Sequence, residues 1–252
     1  MGNLQVTELY YRLETIKSTK FSSPPPVKRE QALFSFSLEN NKLTIKLKHF
    51  CSTEEEARNL VEDFLRSWEI NDALNRGIKR INFKYENAKI IDLNNPSAVI
   101  VPGRSGLLIG VSSNLLSLEP HYPDPPTLSQ ISPDVRTLWH RYEGYLDHHE
   151  PLPSMAYFCL TLLEFRAGGK PRARKKAEAK YKMDYEVLEK IGELSARGDE
   201  KTARKFRPPV PLSAIETEWL KATVRKLIRR VWEIDSGVSY IPSIKMDDLP
   251  SL

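Results

Sequence analysis

The chain has 252 residues, 40% hydrophobic and 28% charged, with a net charge of +5. That balance belongs to a globular protein with a buried core and excludes a globally disordered chain. No apolar run approaches the ~18 residues that cross a bilayer, so no membrane partner is expected. The first twenty residues lack the basic start, apolar middle and cleavage site of a secretory signal. Val6 stands where a myristoylation motif wants Ser or Thr. The two cysteines, Cys51 and Cys159, suit a reducing compartment, and the expected location is cytoplasmic.

In chain order, Leu4, Val6, Leu9, Tyr11 and Leu13 alternate with polar residues, which predicts a strand with an irregularity near Glu8. Ser22 to Pro26 is a loop, because proline has no amide hydrogen and fixes its own backbone. Phe34, Phe36 and Leu38, then Leu43, Ile45 and Leu47, make two period-two runs around Asn40-Asn41. That pattern predicts a hairpin with one wet face. Ser52 and Thr53 have capping-box spacing to Glu55 and Glu56. From Ala57, apolar residues recur at helical intervals to about Leu74, with Gly77 as terminator. Ile81 to Tyr85 reads as a strand, Asn87 as a turn, and Ala88 to Leu93 as the returning strand. Ala98 to Val101 and Leu107 to Val111, joined by Pro102-Gly103, predict a further hairpin.

Prolines 120, 123, 125, 126 and 133 mark residues 119–133 as a semi-rigid linker. Every strong pattern after it is helical. Val135 to Leu146, Met155 to Leu163, Lys170 to Tyr181, Asp184 to Ser195, and a last long helix opened by the Ser213/Glu216 capping box are predicted helices. The tail after Ser236 is expected to be irregular and either docked or frayed. The fold class is therefore α+β: residues 1–118 form an antiparallel sheet with one long packed helix, and residues 134–252 an all-α bundle.

The positive charge is local. Arg166 to Arg207 carries fourteen Lys/Arg and seven Asp/Glu, a surplus larger than that of the whole chain. Arg172, Arg174, Lys175 and Lys176 lie at its centre, and Arg225 is one of several cations on the last helix. Together they are the candidate nucleic-acid-binding residues, since clustered cations meet phosphates without reading sequence. The alternative is a solvated face partly neutralised by its own glutamates. Lys175 to Arg197 has the outline of a helix-turn-helix. However, Asp184, Glu186, Glu189 and Glu193 would repel a major groove, so a plain helical corner is the expectation.

The histidines (His49, His121, His140, His148, His149) have no recognised metal spacing, and no metal or cofactor is expected. Pro102 to Gly106 lacks a Walker lysine, and no nucleophile elbow occurs.

Arg141 and His148, separated by six residues within a helical bundle, resemble HEPN domains, many of which cut RNA. Over about Pro133 to Asp235 that resemblance implies Arg141 holding phosphate charge and His148 doing acid/base work, in a metal-independent ribonuclease of toxin or defence type. The sequence departs from the pattern, because the family's arginine-histidine motif lies on a late helix. Here the late helix has Arg229-Arg230 and no histidine. The chain as a whole also resembles a bacterial conserved hypothetical family, in Ala57 to Glu69, Met155 to Glu164 and Leu227 to Arg230; that resemblance transfers no catalytic residues.

The leading expectation is a non-enzymatic interaction protein whose basic bundle meets RNA, DNA or an acidic protein. The alternatives are the ribonuclease and a structural subunit or homo-oligomer with Trp139, Trp219 or Trp232 at its interface.

Overall fold

The computed structural model describes residues 4–16, 19–102, 117–128, 130–197 and 210–252. It is α+β. The chain divides into two compact units, residues 1–73 with 79–129 and residues 74–78 with 130–252.

In the first unit, β1 (Leu4–Thr15), β3 (Val27–Glu30), β4 (Phe34–Glu39), β5 (Lys42–Leu47), β6 (Ile81–Asp92) and β7 (Asn95–Pro102) form one sheet in the order β3-β4-β5-β1-β6-β7. All its pairings are antiparallel. The β4–β5 hairpin turns on Asn40 and Asn41, both at positive φ, which asparagine tolerates better than most residues. β5 and β6 flank β1 and run parallel to each other, so a crossover must join them. α1 (Glu54–Arg76) makes it.

Ala57, Val61, Phe64, Leu65 and Trp68 of α1 are buried with Leu9, Tyr11, Phe34, Phe36, Leu43, Ile45 and Phe83 of the sheet. Trp68 is the hub. Its ring lies 5.3, 5.7 and 5.0 Å from those of Phe36, Phe64 and Phe83.

Asn87 does not turn the chain. β6 runs straight through it, because β1 is equally long and pairs with β6 along its length. The extra residue is absorbed as an irregularity where Tyr10 faces Asn87 and Tyr11 faces Tyr85, leaving Glu86 unopposed. The turn falls at Leu93-Asn94, where the Asn94 N–H donates to Asp92 Oδ1. A second register shift lies between Val6 and Glu8. β7 pairs with β6; Leu107 to Val111 lies outside the described residues.

The proline-rich stretch is not a free spacer through residue 128. Ser117–Glu119 forms β8, parallel to β2 (Thr19–Phe21). Tyr122 is buried and accepts from the Asn41 N–H, and the Trp68 indole donates to the Pro123 carbonyl at 3.0 Å. The buried Arg80 grips Asp72 through two nitrogens and reaches Glu119 at 3.1 Å.

The second unit holds α2 (Pro133–Leu146), α3 (Leu152–Arg166), α4 (Ala173–Tyr181), α5 (Tyr185–Leu194) and α6 (Ala214–Asp235). α3 is apolar nearly all round, as a central helix must be, and packs against α2, α4, α5 and α6. α6 opens with the Ser213/Glu216 capping box, and the Ser213 N–H holds the Glu216 carboxyl below its ordinary pKa. Trp139, Trp219 and Trp232 are all interior, so none is presented to a partner.

The tail is docked. Ile244 exchanges backbone hydrogen bonds with Lys182 and Asp184, and Ser243 donates to Asp184. The buried Arg230 clamps it, donating to the carbonyls of Tyr181, Lys182 and Pro242 and to Glu233.

Candidate nucleic-acid interface

Gly168 and Gly169, both at positive φ, end α3 and turn the chain. The basic helix starts later than Lys170. Pro171 and a left-handed Arg172 precede it, so α4 begins at Ala173. Ala177 and Tyr181, one turn apart, are its buried anchors. By helical geometry the opposite face carries Arg172, Lys175, Lys176, Ala179 and Lys180, all exposed.

Two of these cations hold α4 in place. Lys176 Nζ donates to the carbonyls of Gly168 and Gly169 at 3.2 and 3.3 Å, and Lys180 Nζ to that of Arg166 at 2.8 Å. These oxygens lie at the negative end of α3, where cations are favoured. The contacts are to carbonyls, not carboxylates, so neither lysine is ion-paired by them. Lys170, Arg172, Lys175 and Lys182 are exposed and make no side-chain hydrogen bond or ion pair with the described residues. The carboxylate in this stretch, Glu178, is turned to the Tyr185 N–H.

The other two predicted cations are half-buried. Arg174 is half-buried against Glu164, Nε to Oε1 3.0 Å, and a side chain at Gly192 would press on its guanidinium. Arg225 of α6 lies against Gly77, leaving no room for a Cβ there. Its helical neighbours are also engaged, Lys221 with Glu218 at 2.7 Å, Lys226 with the Asp248 carbonyl and Arg229 with Asn75. Of the five candidates, Arg172, Lys175 and Lys176 share an exposed face; Arg174 and Arg225 do not.

Arg141 pairs with Glu150 at 3.3 Å and lies over the Phe158 ring at 4.2 Å. His148 follows α2 in an exposed left-handed turn, its N–H donating to the Tyr145 carbonyl. To hold a phosphate, Arg141 would have to leave Glu150. Burial pushes the nearby Cys159 thiol up to about 12, which keeps it protonated and unreactive.

Among the described residues no group of His, Cys, Asp and Glu could hold a metal ion, and no helix is long and apolar enough to cross a membrane. A groove of about 700 Å³ in the first unit is lined by Tyr11, Glu54, Arg58, Glu62 and Tyr85 among others. Arg58 already covers the Tyr85 ring at 4.6 Å, and burial holds the Tyr11 hydroxyl protonated, its pKa about 12.

Sequence reasoning missed Arg230. Its signal was a cation among the apolar positions of α6, beside Leu227, Ile228 and Val231, where only a fully bonded arginine is tolerated. No family model matches the chain, and neither a curated protein nor a solved structure matches it.

Proposed function

We propose that this is a non-enzymatic nucleic-acid-binding protein whose α4 face contacts the phosphate backbone. The observation that carries the reading is the run of six exposed cations between Lys170 and Lys182 that no carboxylate among the described residues pairs with. Such a surface is drawn to polyanions at long range, and each phosphate it neutralises releases condensed counterions. Ala179, small and central on the face, lets a backbone approach closely. Nothing on the face reads a base edge, so the expected binding is indifferent to sequence. The ribonuclease reading rests on its resemblance alone.

The test is fluorescence anisotropy with a labelled duplex at two or more salt concentrations. Affinity should fall steeply between about 50 and 200 mM salt. In Arg172→Glu/Lys175→Glu the slope of log K against log salt should shrink by about 2, at ~0.9 per phosphate. Wild-type binding that ignores salt, or a double variant with an unchanged slope, would refute the proposal.

A further inference from the structure

We infer that the open face of the first unit's sheet, where β3, β4 and β5 lie side by side, is a second anion-binding surface, built to seat the sugar-phosphate backbone of a single nucleic-acid strand. The inference stands on residues other than those of α4 and does not depend on them.

One face of this sheet is covered by α1; across β3, β4 and β5 the other is polar. On the β1–β6 side the open-face cations are matched: Arg12 with Glu86 at 2.7 Å, Lys84 with Glu14 at 3.5 Å, and Lys89 with Glu8 at 3.7 Å. Across β3, β4 and β5 the balance changes. A shallow groove of about 560 Å³ is lined there by Lys28, Ser35, Ser37, Thr44 and Lys46, with Arg29 and Glu30 at its edge strand. Lys28 and Lys46 are exposed and have no carboxylate partner among the described residues. The hydroxyls of Ser35, Ser37 and Thr44 make no hydrogen bond with the described residues. Glu30, which could have neutralised the groove, is held by Lys48 at 2.5 Å. Two ammoniums and three hydroxyls thus lie together as donors, and the carboxylates nearest in register, Glu30 and Glu8, are held by Lys48 and by Lys89 and Tyr10. An anion with several oxygens is the matching chemistry.

The register gives the surface its shape. Lys28, Ser37, Thr44 and Tyr10 are successive cross-strand partners on four neighbouring strands. At strand spacing that row spans about 14 Å. Ser35 and Lys46 are partners in the next row along the same face. A row of this length takes two consecutive phosphates of an extended strand, with hydroxyls between for sugar or phosphate oxygens. Tyr10 ends the row with its ring, and its hydroxyl is tied to Glu8 at 2.7 Å, so the ring is fixed as a stacking wall for a base. An open sheet face that offers side-chain donors to phosphates and one aromatic ring suits a splayed single strand better than a duplex, whose bases are stacked inside.

The test is anisotropy with the full chain and a labelled single-stranded oligothymidylate of about 15 nucleotides, within the site-size range of sheet-based binders. In Lys28→Ala/Lys46→Ala the slope of log K against log salt should shrink by about 1.4, at ~0.7 per single-strand phosphate, and affinity at the lowest salt should drop about tenfold. Both side chains are exposed and unpartnered, so the fold should hold; Ser37→Ala/Thr44→Ala, with an expected loss of several-fold, tests the surface without touching charge. The Arg172→Glu/Lys175→Glu protein separates the two surfaces. Loss in the sheet variants with little change in the α4 variant supports the sheet and removes α4 from strand binding. Loss in the α4 variant alone, with the sheet variants within twofold of wild type, overturns the sheet inference and leaves the α4 proposal standing. Absence of wild-type binding to the single strand at low salt overturns the sheet inference, while the α4 proposal stands or falls on the duplex.

Discussion

Two buried arginines do more for this fold than the exposed ones that sequence charge brings forward. Arg80 is joined to Asp72 and Glu119; burial by itself lowers its pKa, and the hydrogen bonds and charges of the two carboxylates together more than offset that, leaving it raised. Replacing Arg80 with alanine leaves Asp72, 3% exposed, as an uncompensated buried carboxylate. Such a deletion costs about 3–5 kcal/mol, and urea denaturation should register a loss in that range. Arg230 belongs to a different class, since three of its four acceptors are backbone carbonyls. Arg230→Met keeps the stem and orphans those oxygens. With each buried unpaired group worth about 1–3 kcal/mol, a loss of about 3 kcal/mol and faster proteolysis of the tail after Ser236 are expected; a variant as stable as wild type would deny Arg230 its clamping role. Arg230's place among the apolar positions of α6 was a sequence signal, but nothing in the sequence named the partners of either arginine. A cation's partner is decided by which chain ends arrive beside it, as Gly168 and Gly169 arrive beside Lys176. For the same reason the sequence located the basic segment but could not separate Arg172 and Lys175, which stay open, from Arg174, which does not.

At the scale of elements, legibility followed length and locality. The β4–β5 hairpin and α1 announce themselves because period two and period 3.6 are local signals sustained over a full element. β2, β3 and β8 are only three or four residues long, too short to sustain a period, and β2 and β8 pair with each other from far apart in the chain. Asn87 reads as a turn locally and becomes an irregularity within a strand because the pairing with β1 overrides it. Helix ends give the sharper test. Gly77, at φ +75°, follows α1 and faces the Arg225 guanidinium, whereas Gly237, at φ +71°, follows α6 with open space around its missing Cβ. Gly237→Ala should therefore cost only the left-handed strain, about 1–2 kcal/mol. Gly77→Ala should cost more, and the excess should disappear in an Arg225→Ala background. A double-mutant cycle reads this directly; equal costs at the two glycines in wild type would mean that Arg225 swings aside freely.

Over the whole molecule, stability is divided between two cores. One is the sheet and α1 around Trp68; the other is the bundle around α3, and the backbone contacts cluster accordingly. A chain built this way departs from all-or-none unfolding, so its van't Hoff enthalpy should fall below the calorimetric one. The two arginine lesions then become reporters. Arg80 is bonded wholly within the first unit and Arg230 wholly within the second. In scanning calorimetry Arg80→Ala should move one component of the trace and Arg230→Met the other. A single sharp transition displaced equally by both would show that the cores unfold as one. The same division governs binding, because the α4 face and the groove on the β3–β4–β5 face belong to different units. If the cores are thermodynamically separate, charge changes on the two surfaces should add in log K, with deviation no larger than ~0.3–0.5 kcal/mol. A larger deviation in the combined variant would mean that one bound strand bridges both surfaces.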